Sequence, residues 1–258
     1  MKQPLTLISG PCAIEDRDTA FLIAREVKAL CDHWGIRYIF KGSYKKANRT
    51  SLDSFMGIGD EKALNILQAV GEEYGVETIT DVHESKDPAR VAPFVSHLQI
   101  PAFLCRQTDL LLAAGETGCG INIKKGQFLS PEAMRYPLGK IQSTGNQQIW
   151  LCERGTTFGY SDLIVDATSI SRMKAFHPEV IMDCTHATQK PNRDDGVTGG
   201  DPGMINTLAL AAIATGATGL FIETHPQPAK AKSDGKTMLP LDQLPHTLEK
   251  VMQLYQAL

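Results

Sequence analysis

VIMDCTH, residues 180–186, is a short apolar run that ends in groups able to ionise or bind a metal, and the pattern recurs along the chain. ISGPC (8–12) stops at Cys12, and YIFK (38–41) stops at Lys41. ITDVH (79–83) carries Asp81 and His83, and INIKK (121–125) carries Lys124 and Lys125. IWLCER (149–154) carries Glu153 and Arg154, LFIETH (220–225) carries Glu223 and His225, and HLQIP (97–101) contributes Gln99. These runs define strand candidates at 5–10, 37–42, 77–82, 97–101, 120–125, 148–154, 179–185 and 219–224. They are rich in Ile, Leu and Val with little alternation, as expected of strands buried on both faces. In a closed parallel barrel the interior is packed and the carboxyl ends of the strands open onto one face, where chemistry collects. Polar strand ends of this kind predict one pocket there.

Helical patterns separate the strands. Asp18–His33 places Leu22, Ile23, Val27 and Leu30 at helical spacing, and Asp60–Tyr74 opens with Asp60 read as its cap. Ser85–Phe94, with Pro88 in its first turn, follows, then Asp109–Glu116, Ser130–Gln142, Asp166–Phe176, Pro202–Thr215 and Leu241–Leu258. Alternating βα units with short connections predict an α/β fold, a single (β/α)8 TIM-barrel catalytic domain over residues 1–258. An open doubly wound sheet is the alternative, but no G-x-G-x-x-G follows the first strand.

The net charge of −3 and the lack of a long basic run argue against nucleic acid or a membrane surface as partner. The N-terminal stretch turns polar at Glu15-Asp16-Arg17-Asp18, too early for a signal peptide, and no apolar run reaches the ~18 residues of a spanning helix. The cysteines, at 12, 31, 105, 119, 152 and 184, form no C-x-x-C pair, so reduced thiols in a cytoplasmic protein are expected. Two long polar loops, Gly42–Gly59 and Thr188–Gly203, leave the carboxyl face. The second, TQKPNRDDGVTGGDPG, reads either as a mobile lid or as a plain surface loop.

Cys12, His186, Glu223 and Asp234 come from the ends of the first, seventh and eighth strands and the loop beyond, which are neighbours in a closed barrel. A mixed S, N and O set suits a borderline divalent cation such as Zn²⁺, Fe²⁺, Mn²⁺ or Co²⁺. Taken singly, a free Cys is usually a small buried hydrophobe and a lone His a structural residue, so spacing alone leaves both readings open. Lys41, Lys46, Arg49, Lys124 and Arg154 all fall at or just beyond strand ends. Gathered in one pocket they would repel one another without an anion, and phosphate or carboxylate groups are their natural partners. A Lys there can also form a Schiff base, provided that its pKa is depressed.

The most specific stretch is KGSYKKANRTS (41–51), which resembles the K-x-x-x-x-K-A-N-R-[ST]-S motif of the 3-deoxy-manno-octulosonate 8-phosphate synthase family. Further similar blocks follow in order: TDVHE (80–84), QIPAFLCRQTDL (99–110), INIKKGQFLSP (121–131), CERGTTFGY (152–160), DCTHATQ (183–189) and GLFIETHPQPAKAKSDG (219–235). The resemblance implies a (β/α)8 barrel that condenses phosphoenolpyruvate with D-arabinose 5-phosphate and water, releasing phosphate. It implies that Lys124 and Arg154 hold the phosphoenolpyruvate phosphate, with Lys41 and Lys46 near its carboxylate and reacting carbons. Gln99 and Ala102 would line that site, with Gln189 close by. Ser43, Asn48, Arg49 and Ser51 would bind the sugar phosphate and its surroundings, and Asp81 a sugar hydroxyl. Lys41, Lys46, Asp81 and His186 are the catalytic candidates. Arg106 would reach the sugar phosphate of a neighbouring subunit, which implies a homotetramer.

That family has one kind with Asn at the position of Cys12 that works without metal, and another with Cys that requires a divalent cation. With Cys12, His186, Glu223 and Asp234 present, this sequence resembles the metal-dependent kind. The nearest alternative is 3-deoxy-arabino-heptulosonate 7-phosphate synthase, which uses erythrose 4-phosphate. Its loop resembles Lys-Pro-Arg-Thr where this chain reads Lys46-Ala47-Asn48-Arg49. A non-catalytic sugar-phosphate or metal sensor on the same barrel is a further alternative.

Overall fold

The structure is a computed structural model that describes residues 3–47, 54–191 and 199–258. Eight parallel strands close into a barrel: β1 (Thr6–Gly10), β2 (Arg37–Lys41), β3 (Glu77–Asp81), β4 (His97–Ile100), β5 (Gly120–Lys124), β6 (Ile149–Glu153), β7 (Val180–Asp183) and β8 (Gly219–His225). Each pairs with the next, and β8 pairs back onto β1 with Thr6 opposite Gly219 and Gly10 opposite Glu223. Every strand falls within or one residue beyond its predicted range.

The helices form the outer ring: α1 (Arg17–Trp34), α2 (Asp60–Tyr74), α3 (Asp87–Val91), α4 (Thr108–Gly115), α5 (Arg135–Gln142), α6 (Ser169–Lys174), α7 (Ile205–Ala214) and α8 (Leu244–Ala257). In α1 the Asp16 side chain accepts a hydrogen bond from Thr19 N at 2.7 Å, which satisfies one of the free amides of the first turn. Ala20, Ile23, Ala24, Val27 and Cys31 form its buried stripe. In α2 the sequence reading needs correction. Gly59 occupies the cap position, and Asp60 is the first helical residue, placed to favour the helix dipole rather than to cap it. The predicted 166–176 helix is also shortened. Thr156–Phe158 and Asp162–Ile164 form an antiparallel hairpin after β6, and Asp166 is spent on a turn, accepting from Thr168 N at 2.8 Å.

Two apolar layers follow from this geometry. One lies between strands and helices and takes in Leu7, Phe40, Leu98, Ile123, Leu151 and Leu220. The other fills the barrel itself, with Ile8, Ile39, Ile79, Trp150, Cys152, Ile181 and Phe221. Burying an Ile or Phe of this kind contributes roughly 1.5–3 kcal/mol. The amino-terminal end is closed by a polar plug. Arg37 grips Glu77 with both arms, at 2.7 and 2.8 Å, and Glu77 meets His97 Nε2 at 2.9 Å. His97 in turn packs edge-on against Trp150. Conserving the packed interior at that end leaves the opposite mouth for polar groups. No helix among the described residues is long and apolar enough to cross a membrane.

Candidate active site

Register brings the strand ends together. Glu223 stands opposite Gly10, two residues before Cys12, and Phe40 stands opposite Ser9, so Lys41 follows at the level of Gly10. The backbones approach closely there: a Cβ on Gly10 would sit 2.0 Å from Lys41 O. Lys41, 1% exposed, donates to Glu223 Oε1 at 2.8 Å, to Cys12 O at 2.9 Å and to Ser43 Oγ at 3.0 Å. Ser43 donates to Asp81 Oδ2. Asp81, Gln99 and Asn122 share one level of neighbouring strands and form a ladder, Gln99 donating to Asp81 and Asn122 to Gln99 Oε1 at 2.9 Å.

On the other side of the mouth, Lys124 donates to Asp183 Oδ2 and lies 3.3 Å from the Phe221 ring centre. Asp183 also accepts from His186 Nδ1 at 2.8 Å and from the backbone amides of Thr185 and His186. Arg154, 4% exposed, donates through Nη2 to Gln189 Oε1 at 2.6 Å, while its buried Nη1 has no hydrogen-bond partner among the described residues. Glu153 supports this strand end by accepting from the amides of Arg154 and Gly155, from Ser169 and, more distantly, from Lys125 at 3.4 Å.

Cys12 Sγ, a Glu223 carboxylate oxygen and an Asp234 carboxylate oxygen lie within 4.8 Å of one another. Cys12 donates to Asp234 Oδ2 at 3.0 Å. Asp234 adopts φ +49°, the left-handed region that Asp tolerates better than most residues, and a turn to Thr237 N at 2.9 Å holds it there. His186 Nε2 lies 3.7 Å from Glu223 Oε2, just outside that trio. The residues fit a divalent cation. Glu223 Oε1 is engaged by Lys41, but its buried Oε2 has no hydrogen-bond partner among the described residues, and a buried acceptor left open is costly. Burial, then the charges of Asp234 and Glu223, push the Cys12 thiol far above its usual range, so a thiolate there calls for a cation.

The strand-end cations find part of their counter-charge within the protein. Lys41 is paired with Glu223 and Lys124 with Asp183, because a charge buried to this degree requires a counter-charge. Burial opposes the charged form of Lys41, yet Glu223 and Asp81 outweigh it and its pKa is raised. Lys46 is raised further: burial is again overcome, by Cys12, Glu223, Asp81 and Asp234. A Schiff base on either would need the opposite shift. Asp81 is burdened by burial but held well below the usual carboxylate range by Lys41 and Lys46. Burial pulls the Arg154 guanidinium below its ordinary value against Asp183 and Glu153, so a further anion is favoured beside it.

Of the predicted site residues, Cys12, Lys41, Ser43, Lys46, Asp81, Gln99, Lys124, Arg154, His186, Gln189, Glu223 and Asp234 belong to this connected mouth. Ala102 opens the short turn after β4 and is half-buried. Arg106 is exposed beyond it, as is Phe103. Asn48, Arg49 and Ser51 lie outside the described residues, as does the 192–198 part of the expected lid. Asp183, Asn122 and Ser233, whose Oγ lies 3.0 Å from Cys12 Sγ, also belong to the mouth but are not among the site residues that the strand-end pattern predicts. Asp183 carries a signal, since an acid closes an otherwise apolar strand, but its Lys124 partner lies 59 residues away.

Residues 1–258 match the model described as the DAHP synthetase I family. Among curated relatives, the 2-dehydro-3-deoxyphosphooctonate aldolase of Brucella ovis is 49% identical over 249 residues, covering 96% of this chain and 90% of the relative. The protein of the same name from Brucella abortus strain S19 gives the same identity and coverage.

Proposed function

The chain belongs to the DAHP synthetase I family, and within it we propose that it joins phosphoenolpyruvate to D-arabinose 5-phosphate and water, giving 3-deoxy-D-manno-octulosonate 8-phosphate and inorganic phosphate. The product is a lipopolysaccharide precursor. The chain is a carbon–carbon bond-forming enzyme, and residues 1–258 act as one catalytic domain. The observation that carries the reading is the set of buried cations, Lys41, Lys46, Lys124 and Arg154, around the Cys12–Glu223–Asp234 trio.

In this reading Lys124 and Arg154 take the phosphate of phosphoenolpyruvate, with Arg154 Nη1, unpartnered among the described residues, supplying a donor. Gln189 fixes the guanidinium. Lys41 and Lys46, held protonated by their neighbours, face the carboxylate and reacting carbons. Gln99 and the turn at Ala102 complete that wall. Asp81, positioned by Ser43 and Gln99, accepts a sugar hydroxyl. Asn48, Arg49 and Ser51 bind the aldose phosphate on the strength of the motif. Water adds to C2 of phosphoenolpyruvate, C3 attacks the sugar aldehyde, and phosphate departs by C–O cleavage. The charges are in place before reaction, so little reorganisation is needed as charge develops.

Cys12, His186, Glu223 and Asp234 would hold a divalent cation, Zn²⁺, Fe²⁺, Mn²⁺ or Co²⁺. When bound, it supplies positioning and lowers the pKa of a coordinated water. The exposed Arg106 and Phe103 suit a homotetramer in which Arg106 serves a neighbour's site, and the unpaired cysteines suit the cytoplasm. The family description also covers synthesis of 3-deoxy-arabino-heptulosonate 7-phosphate. An assay of phosphate release with arabinose 5-phosphate and erythrose 4-phosphate side by side decides the matter: preference for the four-carbon sugar refutes the proposal.

A further inference from the structure

We propose that Asp183 is a positioning residue that couples the two halves of the site, so that an anion engaged by Lys124 tightens cation binding through His186, and the cation tightens anion binding in return. This rests on the preceding reading, in which a phosphorylated anion lies at Lys124 and a divalent cation beside Cys12. Asp183 is fully buried, and among the described residues its side chain bonds to Lys124, Thr185 and His186. Its Oδ1 accepts from Thr185 N at 3.1 Å and His186 N at 2.9 Å, which fixes the carboxylate plane. Its Oδ2 is shared between Lys124 Nζ and His186 Nδ1.

The sharing is the physical basis of the coupling. One oxygen serves two donors, so what Lys124 draws from it His186 loses. With Nδ1 committed to Asp183, the imidazole presents Nε2 toward Glu223 Oε2, 3.7 Å away. A carboxylate behind a histidine ligand makes the opposite nitrogen a better donor to a metal. When an anion takes part of the Lys124 charge, more of the Asp183 charge falls on His186 Nδ1–H, and Nε2 strengthens. The chain continues on the far side, since Glu223 Oε1 is bonded to Lys41 at 2.8 Å. Lys124, Asp183, His186, Glu223 and Lys41 therefore form one continuous run across the mouth. Linkage requires that the effect be reciprocal. Direct attraction between a bound cation and a bound anion would also couple them, without Asp183, and that is the alternative to be separated.

The test is calorimetric titration of Mn²⁺ into metal-stripped protein, with and without saturating phosphoenolpyruvate. In the parent protein phosphoenolpyruvate should tighten Mn²⁺ binding by about tenfold. In Asp183→Asn, with both ligands still bound, the ratio should fall to about twofold or less. A ratio that stays near the parent value in Asp183→Asn overturns the role of Asp183, as does a ratio near one in the parent. A second measurement needs no variant. The His186 Nδ1–H proton resonance of the Zn²⁺-loaded parent should move when phosphoenolpyruvate is added, and a resonance that stays in place overturns the proposal. A parent protein that binds neither Mn²⁺ nor phosphoenolpyruvate defeats the functional reading and this inference with it, whereas binding of both without coupling defeats this inference alone.

Discussion

Replacing Lys41 by Met removes a charge but keeps a chain of similar length in the barrel mouth. Lys41 and Glu223 are 1% and 0% exposed and 2.8 Å apart, so the variant leaves a buried carboxylate without its cation. Removing one member of such a pair costs about 3–5 kcal/mol. For a chain of 258 residues, 1 kcal/mol corresponds to about 2–4 °C in Tm. The chelator-treated variant should therefore melt roughly 6–20 °C below the parent. Adding Glu223→Gln removes the stranded charge and should restore most of the loss, because a pair deleted together costs far less than a pair broken. Excess Mn²⁺ should also narrow the deficit of the single variant by taking over Glu223. The assay is thermal unfolding by circular dichroism for parent, both single variants and the double variant, with chelator and with Mn²⁺. A single variant within about 1 kcal/mol of the parent in chelator would refute the reasoning, since exposed pairs cost that little. So would a double variant no more stable than Lys41→Met.

Three other outcomes are expected. Chelation should suppress condensation and added Mn²⁺ should restore it, while Cys12→Ala should bind Mn²⁺ weaker by more than about tenfold in calorimetry; unchanged affinity would remove Cys12 from the ligand set. Glu77 is held down to about 2, first by its hydrogen bond to His97 and then, against burial, by Arg37, so its stabilisation is present above pH 4.5 and lost as pH falls through about 2. With 38% of its side chain exposed, the discounted contribution is roughly 1 kcal/mol, and the melting difference between parent and Glu77→Gln should shrink over that window; a difference constant from pH 6 to pH 2 would contradict it. Gly120→Ala should destabilise by about 1–3 kcal/mol without changing kcat in the folded protein, because the new Cβ would meet His97 Nδ1 at 2.1 Å and Trp150 at 3.1 Å at the end of the barrel away from the site.

The strands were legible because a parallel barrel buries both faces of each one, and that demand writes an unbroken apolar run into local sequence. The same runs marked the mouth, since polar residues are tolerated only where the packed interior ends. Local reading failed where a residue's partner decides its role. Asp60 has the composition of a cap, yet the backbone enters α2 through Gly59. Asp166 looks like a helix start and instead closes a turn after a hairpin.

Charge is where the division is sharpest. Local sequence places Lys41, Lys124 and Arg154 at strand ends, because strand length and burial are local properties. It could not determine that Lys41 meets Glu223, 182 residues away, or that Lys124 and His186 share one oxygen of Asp183. Those pairings depend on barrel closure and register, which place β8 beside β1 and set Glu223 level with Gly10. Field and hydrogen bonding act across space rather than along the chain, so only the folded molecule turns a row of cations into a balanced pocket.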